Sequence, residues 1–542
     1  MQNPKNMKLK ANLLLLLLVS CTLCVAQDWK TYPHTPTGSL VSFAIDEGRH
    51  ALEPIEWWYT SGQITGDTSG KTYSYMLTYF YYPQSGFDGF RILNITDHSN
   101  GEFYQDVKPV NYTTLSTSEL DIEASVFLGG TEYWRNKEDS GNNAIPFEYE
   151  VFASTASVTL DIELVTTKRP LILGDDGYLD QGSVNYTYYY SQTENDLVGS
   201  FTFDGTTENI TGTAWIDRQY GDFNPLTGEK YEWFSLKLSN GMDINLWNIF
   251  TPNRMIPDIP EYRILSAYVD ESTQYTEADF EIERLQFFCT TDEVNCYSKQ
   301  WRLTSAINNL DLTITSLFET TEVQLPFRFF EGALSITGTV NGLAVTGEGF
   351  AELLHYYEHP DISLTSPTGG IYDTSVPISW DLNNPDDGRP VFYDLEYSID
   401  NQNSFLPIVS GLTDPTYLWE NPSINQNDDV WFKVISYSVD GVLTSTIISD
   451  SSSSATLSLQ EFNPNGVKLY PNPVANRLFL QFDNQVSDLS YEIIDINGRI
   501  IFNNERRSTN LVEINTSALQ QGVYFIRIYS DSVEDFLKFI KK

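Results

Sequence analysis

Cysteine, positive charge, helical periodicity and long apolar runs are all scarce in this chain, and each shortage excludes something. Four cysteines among 542 residues are too few for a scaffold held by disulfides. Two of them, Cys21 and Cys24, fall near the N-terminus. The other two are Cys289 and Cys296. No His adjoins either, and two sulfurs do not complete a tetrahedral zinc site, so this pair reads as a disulfide closing a short loop. Thirty-two Lys and Arg face 73 Asp and Glu, a formal charge of −41. A surface that negative repels phosphate backbones, which argues against a nucleic acid partner. Downstream of residue 26 nothing approaches the ~18 consecutive apolar residues of a membrane helix, so no transmembrane span is expected. Amphipathic patterns of period 3.6 are rare.

What the chain has in quantity is aromatic rings, 14% of all residues, together with 33 Gly and 24 Pro. Rings suit pleated, half-buried surfaces joined by turns, and the expectation is an all-β protein. At about 100–200 residues per domain the length allows three or four domains. Lys5, Lys8 and Lys10 precede an apolar run from Leu13 to Val19, and small residues at Cys24 and Ala26 precede Gln27. Residues 1–26 therefore read as a cleaved export signal. Leu18-Val19-Ser20-Cys21 offers a rival cleavage that would leave Cys21 lipidated.

From Gln27 to about Tyr357 the text alternates with period two. Tyr73, Tyr75, Leu77 and Tyr79 interleave with Ser74, Met76, Thr78 and Phe80, and Phe234, Leu236 and Leu238 behave likewise. So long a stretch of strands suits two tandem barrels, expected at 27–211 and 212–359. Short strands carrying Trp380, Tyr397, Trp419 and Trp431 follow, and predict an immunoglobulin-like sandwich over 360–458 that resembles fibronectin type III modules. A last small β-sandwich is expected at 463–542.

Three clusters could carry chemistry: Asp46 to His50 with Glu56-Trp57-Trp58-Tyr59; Tyr188-Tyr189-Tyr190-Ser191 with Gly212 to Gly221; and Glu331-Gly332-Ala333 with Gly347, Gly349, Phe350 and Glu352. In an extended strand Trp215 and Asp217 share one face, as do Trp57 and Tyr59. If those faces look into a barrel, the lumen is oily, ring-lined and able to hold one small ligand. The plainer alternatives are that Glu56 only pairs a buried Arg, that Asp217 only accepts turn amides, and that the Tyr run only alternates between core and surface.

The order of these motifs resembles the carotenoid 1,2-hydratase (hydroxyneurosporene synthase) and AttH-like family over about residues 40–357. The resemblance implies two lipocalin-like barrels and, in some members, hydration of isoprenoid double bonds. On that reading Asp217, kept protonated among rings, delivers a proton to carbon. His50 would orient or activate water. Trp57, Tyr59, Trp215, Tyr220 and Trp233 would line the substrate-binding site. Where the family carries a His after the motif Asp, this chain has Arg218, which would hold Asp217 ionised if the two met. The chemistry asks for no cofactor and no metal. His355-Tyr356-Tyr357-Glu358-His359 matches an inverted zincin motif, but in a strand its two His would stand about 13 Å apart.

The C-terminal segment carries Leu469-Tyr470-Pro471-Asn472-Pro473, Asp495-Ile496-Asn497-Gly498-Arg499 and a closing Lys541-Lys542. It resembles the sorting domain of type IX secretion cargo, which implies a partnership with that machinery and a secreted or surface location. The expected function is binding, with possible hydration or isomerisation, of an apolar small molecule. The alternatives are a carrier without chemistry and a glycan-binding or polysaccharide-processing surface protein.

Overall fold

The computed structural model describes residues 28–222, 227–325, 327–371, 375–384, 387–420, 428–453, 467–506, 508–530 and 534–542. The expected export signal lies outside them. No α-helix occurs among the described residues, and strands follow one another from Ile55 to Lys541.

The first sheet closes on itself. The strand Asn185–Phe203 pairs along its length with Thr206–Asp222, and its second half also pairs with Val158–Thr166. This joins the two ends of a meander running from Ile55–Gly66 through seven further strands, and makes a ten-stranded barrel. Its lumen is filled by Trp58, Tyr75, Leu77, Tyr79, Trp134 and Tyr149 among other buried side chains. A second sheet, from Lys230–Leu238 to Leu343–Leu353, curls around Phe234, Leu246, Trp301, Leu312 and Phe330. It stays open between Thr273–Glu277 and Glu281–Cys289.

The change of sheet falls between Asp222 and Lys230, not at the expected 211/212. Thr206–Asp222 is one unbroken strand of the first barrel. Gly212 is not a boundary turn; a Cβ there would stand 2.1 Å from the Gln63 carbonyl oxygen, so the glycine permits close strand approach.

The two barrels press together over a third core that contains Tyr59, Met76, Tyr189, Trp233, Trp247 and Phe329. Strands at this seam are covered on both faces, and Asp243–Phe250 is buried at every residue. Polar ties cross the seam as well. Lys168 Nζ meets Asp243 at 2.7 Å, and Lys237 Nζ donates to Thr213 at 2.6 Å.

Beyond the barrels, a three-stranded and a larger sheet sandwich Ile378, Trp380, Leu395, Phe432 and Val434. The C-terminal sandwich encloses Leu480, Tyr491, Ile526 and Phe539 between sheets of three and four strands. Cys289 and Cys296 are bonded, with S–S 1.99 Å. The His355–His359 segment is no helix. His355 is buried against Phe250, with ring centroids 3.6 Å apart, whereas His359 accepts a hydrogen bond from the Thr444 amide at 3.1 Å. His359 lies beside the two cysteine sulfurs, which are already committed to each other.

Candidate functional site

Alternation along Ile55–Gly66 and Thr206–Asp222 sorts their side chains as the sequence indicates, but the destinations are reversed. Trp58, Ala214 and Ile216 fill the lumen. Trp57, Tyr59 and Asp217 point out of the barrel, into a cavity of about 560 Å³ at the seam. The expectation of an oily, ligand-holding lumen is therefore corrected. The second barrel covers the outer face of these strands, so both faces are apolar and hydrophobicity alone does not tell inside from outside. Met76 and Phe80 wall the cavity from the first barrel, and Tyr231, Trp233, Trp247 and Phe329 from the second. At its mouth stand Val294 and Phe327, 59% and 52% exposed, so the cavity reaches solvent.

Asp217 sits in the wall of this cavity and is buried. Three donors converge on its carboxyl group: the hydroxyl of Ser191, the indole N–H of Trp215 at 2.8 Å, and the hydroxyl of Tyr189 at 2.8 Å. Burial pushes its pKa up to about 7; the three hydrogen bonds oppose the shift and the nearby Glu352 adds to it. Tyr189 is itself fixed by Asn245, whose Nδ2 donates to it at 2.7 Å, and by the Trp233 indole at 3.2 Å. The Tyr run is thus more than alternating packing, since Tyr189 and Ser191 hold the acid.

Arg218 does not meet Asp217. Its guanidinium lies on the lumen side, 4.1 Å from the Trp58 ring centre, and pairs with Glu56 while donating to the carbonyls of Gly48 and Gln219. Glu56 is thus the partner of a buried Arg, as the plainer reading had it. His50 belongs to the same cluster. Its ring faces Asp46 at 2.9 Å and Glu56 at 3.3 Å, and stacks on Tyr220 with centroids 3.4 Å apart. Neither His50 nor Tyr220 lines the cavity. Proximity in sequence to the motifs selected them, but strand alternation turns Tyr220 to the opposite face, and the segment before Ile55 lays His50 on the Tyr220 ring. Trp215 touches Asp217 yet lies in an adjoining narrow crevice with Ser235 and Phe350. Trp57, Tyr59 and Trp233 do line the cavity, Tyr59 meeting Trp233 edge to face at 5.4 Å.

The third cluster supplies what the residue-by-residue selection missed. Glu331 and Glu352 are direct cross-strand partners in the second barrel. Glu352 lines the cavity and accepts a hydrogen bond from Tyr231; Glu331 accepts one from Tyr59 across the seam at 2.7 Å. Burial and mutual repulsion raise the pKa of Glu331, and burial raises that of Glu352. The available signal was two acids at register positions in apolar strands, where a carboxylate is otherwise costly.

The AttH-like family model matches residues 34–356, more than half the chain. This chain belongs to the AttH-like family. Its barrels share their fold with a protein assigned as AttH from Nitrosomonas europaea. That crystal structure has 20% identity and a TM-score of 0.50, over 60% of this chain and all of that one. Kievitone hydratase from Nectria haematococca is also similar, at 19% identity and TM-score 0.48, over 60% of this chain and 98% of that one. No curated protein matches significantly. Residues 468–542 match the secretion system C-terminal sorting domain, so this AttH-like protein is exported by the type IX route, to the cell surface or the medium.

Proposed function

We propose that this AttH-like protein takes an apolar, isoprenoid-like molecule into the seam cavity and adds water to, or shifts, a C=C bond by acid catalysis. The observation that carries this reading is Asp217, buried in a ring-lined wall with its pKa near neutrality. A carboxylic acid in that state delivers a proton to carbon, and Ser191, Trp215 and Tyr189 then stabilise the carboxylate left behind. The carbocation formed meets the faces of Trp57, Tyr59 and Trp233, each contributing on the order of 0.5–2 kcal/mol. Water reaches it through the solvent-facing mouth, and C–O bond formation with loss of a proton gives the tertiary alcohol. Loss of a neighbouring C–H proton instead gives the isomer.

The test is incubation of the purified protein with farnesol and longer isoprenoid alkenes in heavy-oxygen water. The expected result is label in the product, reduced at least ~100-fold by Asp217→Asn. Absence of label from every product, with no effect of Asp217→Asn, sinks the catalytic reading. Ligand-dependent quenching of tryptophan fluorescence that survives Asp217→Asn without turnover would point to a carrier, since Trp57, Trp233 and Trp247 all border the cavity. The glycan alternative predicts binding on a glycan array.

A further inference from the structure

Acid catalysis leaves a question that Asp217 does not answer: where the proton of the attacking water goes. Opposite Asp217 the cavity is lined by Glu352, and behind it stands a second carboxyl group, Glu331; neither has a counter-charge among the described residues. Glu331 and Glu352 face each other across an antiparallel ladder, a position where two like charges repel strongly. Among the described residues neither forms an ion pair. The titratable groups that act on them are Tyr59 from the first barrel, Tyr231 from their own, and Asp217 across the cavity. The Oε2 of Glu331 is buried and has no donor from any other residue. A buried carboxyl oxygen with no other donor, beside a second carboxyl group, is the place for a proton held between the two acids. The aspartic protease dyad shows the same physics: two neighbouring acids cannot both ionise, so one proton stays with the pair.

We propose that Glu331 and Glu352 hold one proton between them and that Glu352, which reaches the cavity, accepts the proton of the attacking water; this rests on the hydration reading above. Asp217 gives its proton to carbon and becomes a carboxylate. The water oxygen bonds to the cation, one of its O–H bonds breaks, and that proton joins the pair, which goes from one proton to two. The alcohol leaves, the pair releases its second proton to solvent at the mouth and Asp217 takes one up from it, so the cycle adds one water and no net charge. Glu331 does not line the cavity. It is a positioning residue, anchored by Tyr59 on one oxygen and sharing the proton of Glu352 on the other.

Two measurements on the purified exported protein test this. The first needs no ligand. Infrared spectra at about pH 9, where an acid with a pKa near 7 has ionised, report any carboxyl group still protonated. The expected band survives Asp217→Asn and disappears in both Glu331→Gln and Glu352→Gln. No band in the wild type, or persistence in either glutamine variant, overturns the shared proton. The second uses farnesol in heavy-oxygen or deuterated water. Glu352→Gln is expected to lower oxygen incorporation at least ~100-fold while deuterium still enters the recovered alkene, because protonation by Asp217 precedes water capture. Loss of both labels together overturns the base role. If the wild type turns over no alkene, the hydration reading and the base role both fail, and the infrared result alone then decides whether the pair holds a proton.

Discussion

Two faces of the same strands carry buried charge in opposite ways. On the lumen side of the first barrel, Arg218 pairs with Glu56, and Arg91 pairs with Glu132 at 3.0 Å. Burial works against the Glu56 carboxylate, but Arg218 and His50 overcome it and hold its pKa below the usual value. On the seam side, Asp217 of those strands and Glu331 and Glu352 of the second barrel have no cationic partner among the described residues, the cavity's own Arg328 and Lys230 being held by Asp292 and the Tyr356 ring, and all three acids are pushed upward. The Glu56 and Glu132 carboxylates are neutralised by arginine, whereas Asp217, Glu331 and Glu352 are left able to hold and release protons; Glu47, held by hydrogen bonds from Tyr32, Tyr149 and Gln192, is pushed up like them.

The contrast can be broken most forcefully on the lumen side. Arg218→Met takes from Glu56 one of its two arginine partners, Arg49 being the other, and should lower unfolding stability by ~1.5–3 kcal/mol in denaturant titration. Asp217→Asn should instead leave stability near neutral pH intact or higher, while removing at least two orders of magnitude of turnover. The pH dependence of stability separates the faces by sign. Asp217 binds its proton more tightly folded than unfolded, so its contribution is complete below about pH 4 and declines as pH rises to about 7, by up to ~1.4 kcal/mol per unit. Glu56 runs the other way: its contribution stands above the ordinary carboxylate pKa and is lost on acidification. Urea titrations between about pH 4 and 8 should therefore show a decline toward neutrality that Asp217→Asn reduces. Glu47, buried and also raised to about 7, should maintain the remainder in that variant. Trp233→Ala should weaken apolar ligand binding about tenfold by fluorescence titration. Tyr220→Phe, outside the cavity, should leave affinity unchanged.

Much of this was legible beforehand because alternation is a local property. That Trp215 and Asp217 share a side, that Arg218 takes the other, and that the chain is a run of strands all follow from a period of two. Which side is the lumen did not follow, because a second barrel covers the outer face and makes both sides oily. The same loss of contrast put the first boundary inside a continuous strand at Gly212. Glu331 and Glu352 stood out as a cluster, but they lie more than a hundred residues from Asp217, and only the docking of the barrels brings the three together at the seam. Tyr220 shows the converse: close to Asp217 in sequence, it is turned away by one step of the pleat, and His50 stacks on it there. The C-terminal segment was the easiest to read, since its motifs are contiguous and need no tertiary context.

The bonded cysteines have a consequence for where this protein becomes complete. The hairpin they close carries Val294 and Asn295 to the cavity rim, where Asn295 donates to Glu322 at 2.7 Å and Asp292 receives Arg328 at 2.6 Å. In a reducing cytoplasm that rim is untied, and it is sewn shut only after the chain crosses into an oxidising compartment. Closure of the cavity rim is thereby coupled to the journey outward.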